Sequence, residues 1–142
     1  MPRTMKPRRY AEGTTVDSAK TRGEVDNYLH KRGAQEFGFS TTPAFFAIQF
    51  RIQARAVRFV IARPKAGTPA KRTAEERRLW RALLLVLKAK FEAVDSGITT
   101  FDHEFLAHLV TAQGATVGDA IGPQLDRALA GEGAPLALPA GG

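Results

Sequence analysis

The sequence predicts an α+β domain: a three-stranded antiparallel sheet packed against one long helix, with two or three further helices around it. Three observations carry this expectation. Residues 46–61 alternate apolar and polar with the period of a strand, broken once at Gln53-Ala54. Residues 74–95 repeat apolar positions with the period of a helix. Gly and Pro punctuate the chain at Gly33, Pro43, Pro64, Gly67, Pro69, Gly97 and Gly114, between those periodic stretches. The chain has 142 residues, 44% of them hydrophobic, and no cysteine, which suits a single core that forms without disulfides.

Residues 1–20 read as a flexible basic arm, 21–130 as one α+β domain, and 131–142 as a flexible tail of Gly, Ala and Pro. Thr21-Arg22-Gly23-Glu24 has the form of a capping box, Val25, Tyr28 and Leu29 follow at helical spacing, and Gly33 suits the position after a helix. A first helix is expected at about 22–32. Gln35 to Phe39 alternates weakly, and Thr41-Thr42-Pro43 is a turn. Phe46, Ile48, Phe50 and Ile52 then share one strand face; after a reversal at Gln53-Ala54, Val57, Phe59 and Ile61 continue it. Arg51 and Arg58, and Arg55 near them, are expected on the opposite, exposed face. Thr73-Ala74-Glu75-Glu76 reads as a second capping box, starting the long helix near 74 and ending it at Gly97. A third helix is expected from Thr100 or Phe101 to about Leu109. A last one follows Thr116 and is bent or delayed by Gly122-Pro123.

On a wheel of 100° per residue, Leu79, Trp80, Leu83, Val86, Leu87, Phe91 and Val94 fall on the core side of the long helix. Arg77, Arg81 and Lys88 fall within about 40° of one another on the other side. Lys90 lies inside the apolar arc. Its stem is expected to pack on the core with its amine at the edge, or to meet Glu92, Asp102 or Glu104.

Charge is the clearest functional signal. Lys plus Arg number 21 against 14 Asp plus Glu, a formal net charge of +7. Residues 51–81 hold ten bases and two acids, whereas residues 92–142 hold one base and seven acids. Such asymmetry suits a protein with one positive face. The residues expected to contact nucleic-acid phosphates are Arg51, Arg55, Arg58, Arg63, Lys65, Lys71, Arg72, Arg77, Arg81 and Lys88. They are many cations from different elements with no strict spacing, which is what backbone contacts require. Phe39, Phe45 and Tyr10 are the aromatics open to base stacking. The bland alternative is a solvated surface whose basic middle attracts the acidic last third.

Motifs for chemistry are sparse. No G-x-x-x-x-G-K-[ST], G-x-G-x-x-G or G-x-S-x-G occurs, and thiol catalysis has no cysteine to use. His103 and His108 are five residues apart, about 140° off a shared helix face, so they do not form the i, i+4 pair of zinc helices. No catalytic residue, metal or other cofactor is expected. A Mg²⁺-dependent nuclease built on Lys90 with Glu92, Asp95, Asp102 and Glu104 is the enzymatic alternative. The longest apolar run, Ala82 to Leu87, is far short of a membrane span. The N-terminal bases precede no apolar stretch and do not read as a secretory signal.

Tyr10-Ala11-Glu12-Gly13-Thr14, Gly33-Ala34, Leu87-Lys88-Ala89-Lys90, Gly97-Ile98-Thr99-Thr100-Phe101 and Glu104-Phe105-Leu106-Ala107 resemble a group of uncharacterised small basic proteins encoded by bacteriophages and related mobile elements. The likeness spans most of residues 10–125. It implies a setting, the cytoplasm of a bacterial host, and no mechanism. Three strands followed by a long helix also look like the β-β-β-α core of phage single-strand annealing proteins, an analogy of fold alone. The expected function is non-enzymatic, sequence-nonspecific binding of DNA or RNA, with single-strand binding or annealing in phage DNA metabolism as its finer form. The chain is open to acting as a homo-oligomer and is not expected at a membrane. The alternative is a protein-binding module that captures or inhibits a host complex.

Overall fold

The computed structural model describes residues 18–131 and residue 139. Most of the expected tail and most of the expected arm lie outside them, as does Tyr10. The first helix, α1, covers 18–31 of the described chain. Strands β1 (Glu36–Thr41), β2 (Phe45–Ile52) and β3 (Arg55–Ala62) follow, then α2 (Pro69–Asp95), α3 (Phe101–Glu104), a single 3₁₀ turn (Leu106–His108) and α4 (Val117–Leu129). The class is α+β, as the alternating and helical periods predict.

The sheet is an antiparallel meander in the order β1-β2-β3. Phe37 pairs with Phe50 and Phe39 with Ile48, while Ile48 pairs with Phe59 and Phe50 with Val57. The period-two alternation therefore puts one apolar face inward. Gln53 takes the two-residue reversal with φ 53°, a left-handed backbone that a non-glycine side chain adopts at a cost. The inner face meets α1 and α2. Phe46 stacks on Trp80 at 4.6 Å, Tyr28 of α1 meets Phe91 of α2 edge-on, and Phe105 sits in contact with Phe50, Phe59, Phe91 and Phe101. These rings with Val25, Leu29, Ile48, Val57, Leu83 and Leu87 make one continuous core.

The helix boundaries differ from the expected ones for identifiable reasons. α1 is already helical at residue 18, so Thr21 lies inside it and does not cap it. Its end is as expected: Gly33 has φ 95° and Ala34 N–H donates to the Leu29 carbonyl. α2 begins five residues before the expected capping box, with Thr68 as N-cap accepting from Lys71 N–H and Pro69 at the first helical position. Thr-Pro is a stronger start than Thr73, because proline lacks the N–H that the first turn leaves unpaired. The two glutamates of the expected box serve arginines instead. Glu75 pairs with Arg78 and Glu76 with Arg63. Val86, on the margin of the apolar arc, is exposed. The third helix breaks at Phe105 and tightens into the 3₁₀ turn. α4 is capped by Thr116, as expected, and runs through Pro123 without a delay.

Candidate nucleic-acid interface

The structure divides the ten expected basic residues into three sets. The first is on the outer face of the sheet. Arg51 and Arg58 point there, in rows with Glu36 and Gln49. Arg51 is 3.5 Å from Glu36. Arg58 donates to Gln49 Oε1 at 2.9 Å and to the Gly114 carbonyl at 2.8 Å, so it ties β3 to the loop before α4. Both guanidinium groups are held by their own fold.

The second set is Arg55 alone. The expectation that it accompanies Arg51 and Arg58 fails by parity. Residue 55 shares its strand face with Val57 and Phe59, the inward side, and at the hairpin end it reaches α3. It makes a two-pronged contact with Asp102, 2.8 Å on each prong. Those hydrogen bonds hold the Asp102 carboxyl below its ordinary range and push the guanidinium up. A carboxylate of the acidic last third thus neutralises one of the expected phosphate ligands.

The third set surrounds the start of α2. Arg63 and Arg72 line an open groove of about 330 Å³ with Pro43, Pro64, Pro69 and Thr73. Arg63 is committed to the Thr42 carbonyl and to Glu76, each at 3.0 Å, and Arg72 donates to the Gly67 carbonyl. Lys65 and Lys71 are exposed on the same loop and first turn. Arg81 and Lys88 are exposed and Arg77 is half-buried further along the helix. Lys71, Arg81 and Lys88 lie within about 100° of arc and along about 25 Å of axis. The ammonium of Lys88 also hangs over the Tyr28 ring, 5.7 Å from its centre. Helical spacing thus places Lys71, Arg81 and Lys88 on one ridge.

The first turn of α2 contains Lys71 and Arg72 and no acid. Cations at a helix N-terminus oppose the macrodipole, at about 0.3–1 kcal/mol each. Thr68 satisfies one N–H there, and the local field remains that of an anion site.

The alternative metal site finds no geometry. Lys90 donates to the Glu104 carboxylate and to its carbonyl, both at 3.1 Å, in a half-buried pair beside the Phe105 ring. Asp95 takes both prongs of Arg32, and Asp102 those of Arg55. Among the described residues no three His, Asp or Glu side chains converge as metal ligands. His108 lies flat on Phe59 at 3.9 Å; burial pushes its pKa down, and the nearby Lys90 charge adds to this.

Two partnerships escaped the sequence reading. Arg32 bridges the end of α1 to Asp95 at the end of α2 and lies over the Phe91 ring, and Arg22 covers Phe39 at 3.8 Å. The signal available was weak: an arginine in the last turn of one helix and an acid in the last turn of another. Of the stacking candidates, Phe39 and Phe45 are both exposed, and Arg22 lies over the Phe39 ring. None of the helices in the described residues is long and apolar enough to cross a membrane. No protein-family model, no curated protein and no solved structure matches this chain.

Proposed function

We propose that this protein binds nucleic acid through the phosphate backbone, without sequence preference, and that the contact is the ridge of Lys71, Arg81 and Lys88 on α2, with Lys65, Arg72 and Arg77 beside it. The observation that carries the reading is the acid-free, basic first turn of α2, continued by the exposed cations along the helix. A phosphate there relieves an unfavourable field, and further phosphates follow the helix axis. Arg51, Arg55, Arg58 and Arg63 act as structural ties in this reading. The reading sets the activity in phage DNA metabolism inside a bacterial host, in keeping with the resemblance to phage and mobile-element proteins, with single-strand binding or annealing as its finer form.

Fluorescence anisotropy with labelled oligonucleotides tests it. Binding is expected at about 50 mM salt and falls steeply with added salt, its log–log slope counting the phosphates neutralised. Lys71→Glu, Arg81→Glu and Lys88→Glu each weaken binding about tenfold and reduce the slope by about one, while Arg55→Ala leaves affinity within about twofold. Absence of binding at about 50 mM salt ends the proposal, because phosphate contacts are strong in that regime. The same ridge fits an acidic protein surface. A pull-down from nuclease-treated host lysate that retains a protein partner, with no oligonucleotide affinity, replaces the first reading by that one.

A further inference from the structure

The second face of the sheet is uncovered among the described residues. In register across it run two largely apolar rows, Ser40–Ala47–Val60 and Phe45–Ala62. They form a shallow open trough of about 520 Å³ that Gly38 leaves clear, since a side chain there would meet nothing within 4 Å. Phe45 and Val60 stand exposed on it, Val60 at 54%. Arg58 at its border is bonded, among the described residues, to the neutral acceptors Gln49 Oε1 and the Gly114 carbonyl, with no carboxylate on it.

α4 is the complement. Its first turn is anchored, because Gly118 lies so close to the Ala107 carbonyl that a Cβ would stand 2.9 Å from that oxygen. Beyond that turn, Ile121, Leu125 and Leu129 continue one stripe at i, i+4, i+8, exposed at 44%, 44% and 71%. Asp119 and Asp126 flank the stripe on one side. No residue of α4 is buried, although the helix has 13 residues and contains Gly122 and Pro123. A helix of that length is marginal alone, and the Gly and Pro weaken it by about 1 and 3 kcal/mol. Such a helix needs a surface to pack on. Its closest packing is against the 106–108 turn just before it in the chain.

We infer that α4 of one chain docks in the outer-face trough of a second copy, and reciprocally, in a two-fold dimer. Each chain has one apolar ligand and one apolar receptor, with acids beside the first and an arginine beside the second. The dimensions agree: α4 is about 20 Å long, and an eight-residue strand spans about 26 Å. A footprint of about 20 by 10 Å, made twice, puts about 400 Å² of projected area on each partner. The total of about 800 Å² is below the roughly 1,200 Å² of specific, stable interfaces, so the dimer is a weak, reversible one.

Sedimentation velocity of the full chain, from about 2 to about 200 µM, reads the outcome, the upper end being chosen for a weak interface. Leu125→Glu and Val60→Glu, both at exposed positions, each raise the dissociation constant more than tenfold. Leu85→Glu, exposed on α2, leaves it unchanged. An equimolar mixture of Leu125→Glu and Val60→Glu associates where neither does alone, because the mixed pair keeps one intact helix-in-trough contact. A wild-type chain that stays monomeric throughout overturns the inference. So does a dimer that Leu125→Glu breaks and Val60→Glu spares, which would be α4 against α4. A mixture no more associated than its components overturns it as well.

Discussion

α2 and α4 are both amphipathic helices, yet one is the spine of the core and the other buries nothing. α2 sends Trp80, Leu83, Leu87 and Phe91 into the inner face of the sheet. α4 repeats the same spacing with Ile121, Leu125 and Leu129 and leaves all three in solvent. Hydrophobic periodicity says which side of a helix wants a partner. Whether the chain supplies that partner depends on the connection. The loop after β3 returns α2 across the sheet, whereas the 106–108 turn and the Gly118 contact hold α4 at the edge of the body. The difference separates a helix whose stability is global from one whose stability is local.

The largest effect expected from this contrast is at Trp80, which is 2% exposed and stacked on Phe46. Trp80→Ala is expected to cost about 3–5 kcal/mol, measured by urea denaturation. A loss below about 1 kcal/mol would mean that α2 does not organise the core. Gly118→Val forces a Cβ against the Ala107 carbonyl and is expected to cost about 1–3 kcal/mol. Amide exchange should speed up in 117–129 and stay slow in α2. Equal acceleration in both would erase the distinction between the two helices.

The smallest effect concerns pH, at the junction between the two regions. His108 has its pKa lowered by burial against Phe59 and by the Lys90 charge. The unfolded chain therefore binds the proton more readily. The contribution is complete above the ordinary imidazole value of 6.5 and is lost as pH falls below it toward the folded value. Stability measured from pH 7.5 down to 5 should decline, and His108→Gln should flatten that decline. An unchanged slope in the variant assigns it to another group.

Most of the architecture was legible because strand and helix periods are local properties. The inner face of β2 and β3 follows from Phe46, Ile48, Phe50, Val57 and Phe59, and the α4 cap from Thr116. What stayed hidden was tertiary. Arg55 was grouped with Arg51 and Arg58 by sequence proximity, whereas strand parity turns it inward to Asp102. Glu76 looked like a cap residue because its partner Arg63, 13 positions away, does not show in a local pattern, whereas the Glu75–Arg78 pair at i, i+3 was open to view. The ridge on α2 was readable from the wheel at Arg77, Arg81 and Lys88. Its basic first turn was not, because the capping box at Thr73 concealed the earlier start at Pro69.

The length of α2 has an electrical consequence. Its first three turns contribute no fully buried residue and are tied to the body through Arg63–Glu76 and the partly buried Leu79. Lys71 and Arg72 near the tip lie about 35 Å along the axis from Asp95 at the other end. At physiological ionic strength that is about four screening lengths. Asp95, already paired with Arg32, therefore does not screen the tip, and the positive end of the helix attracts an anionic partner from a distance.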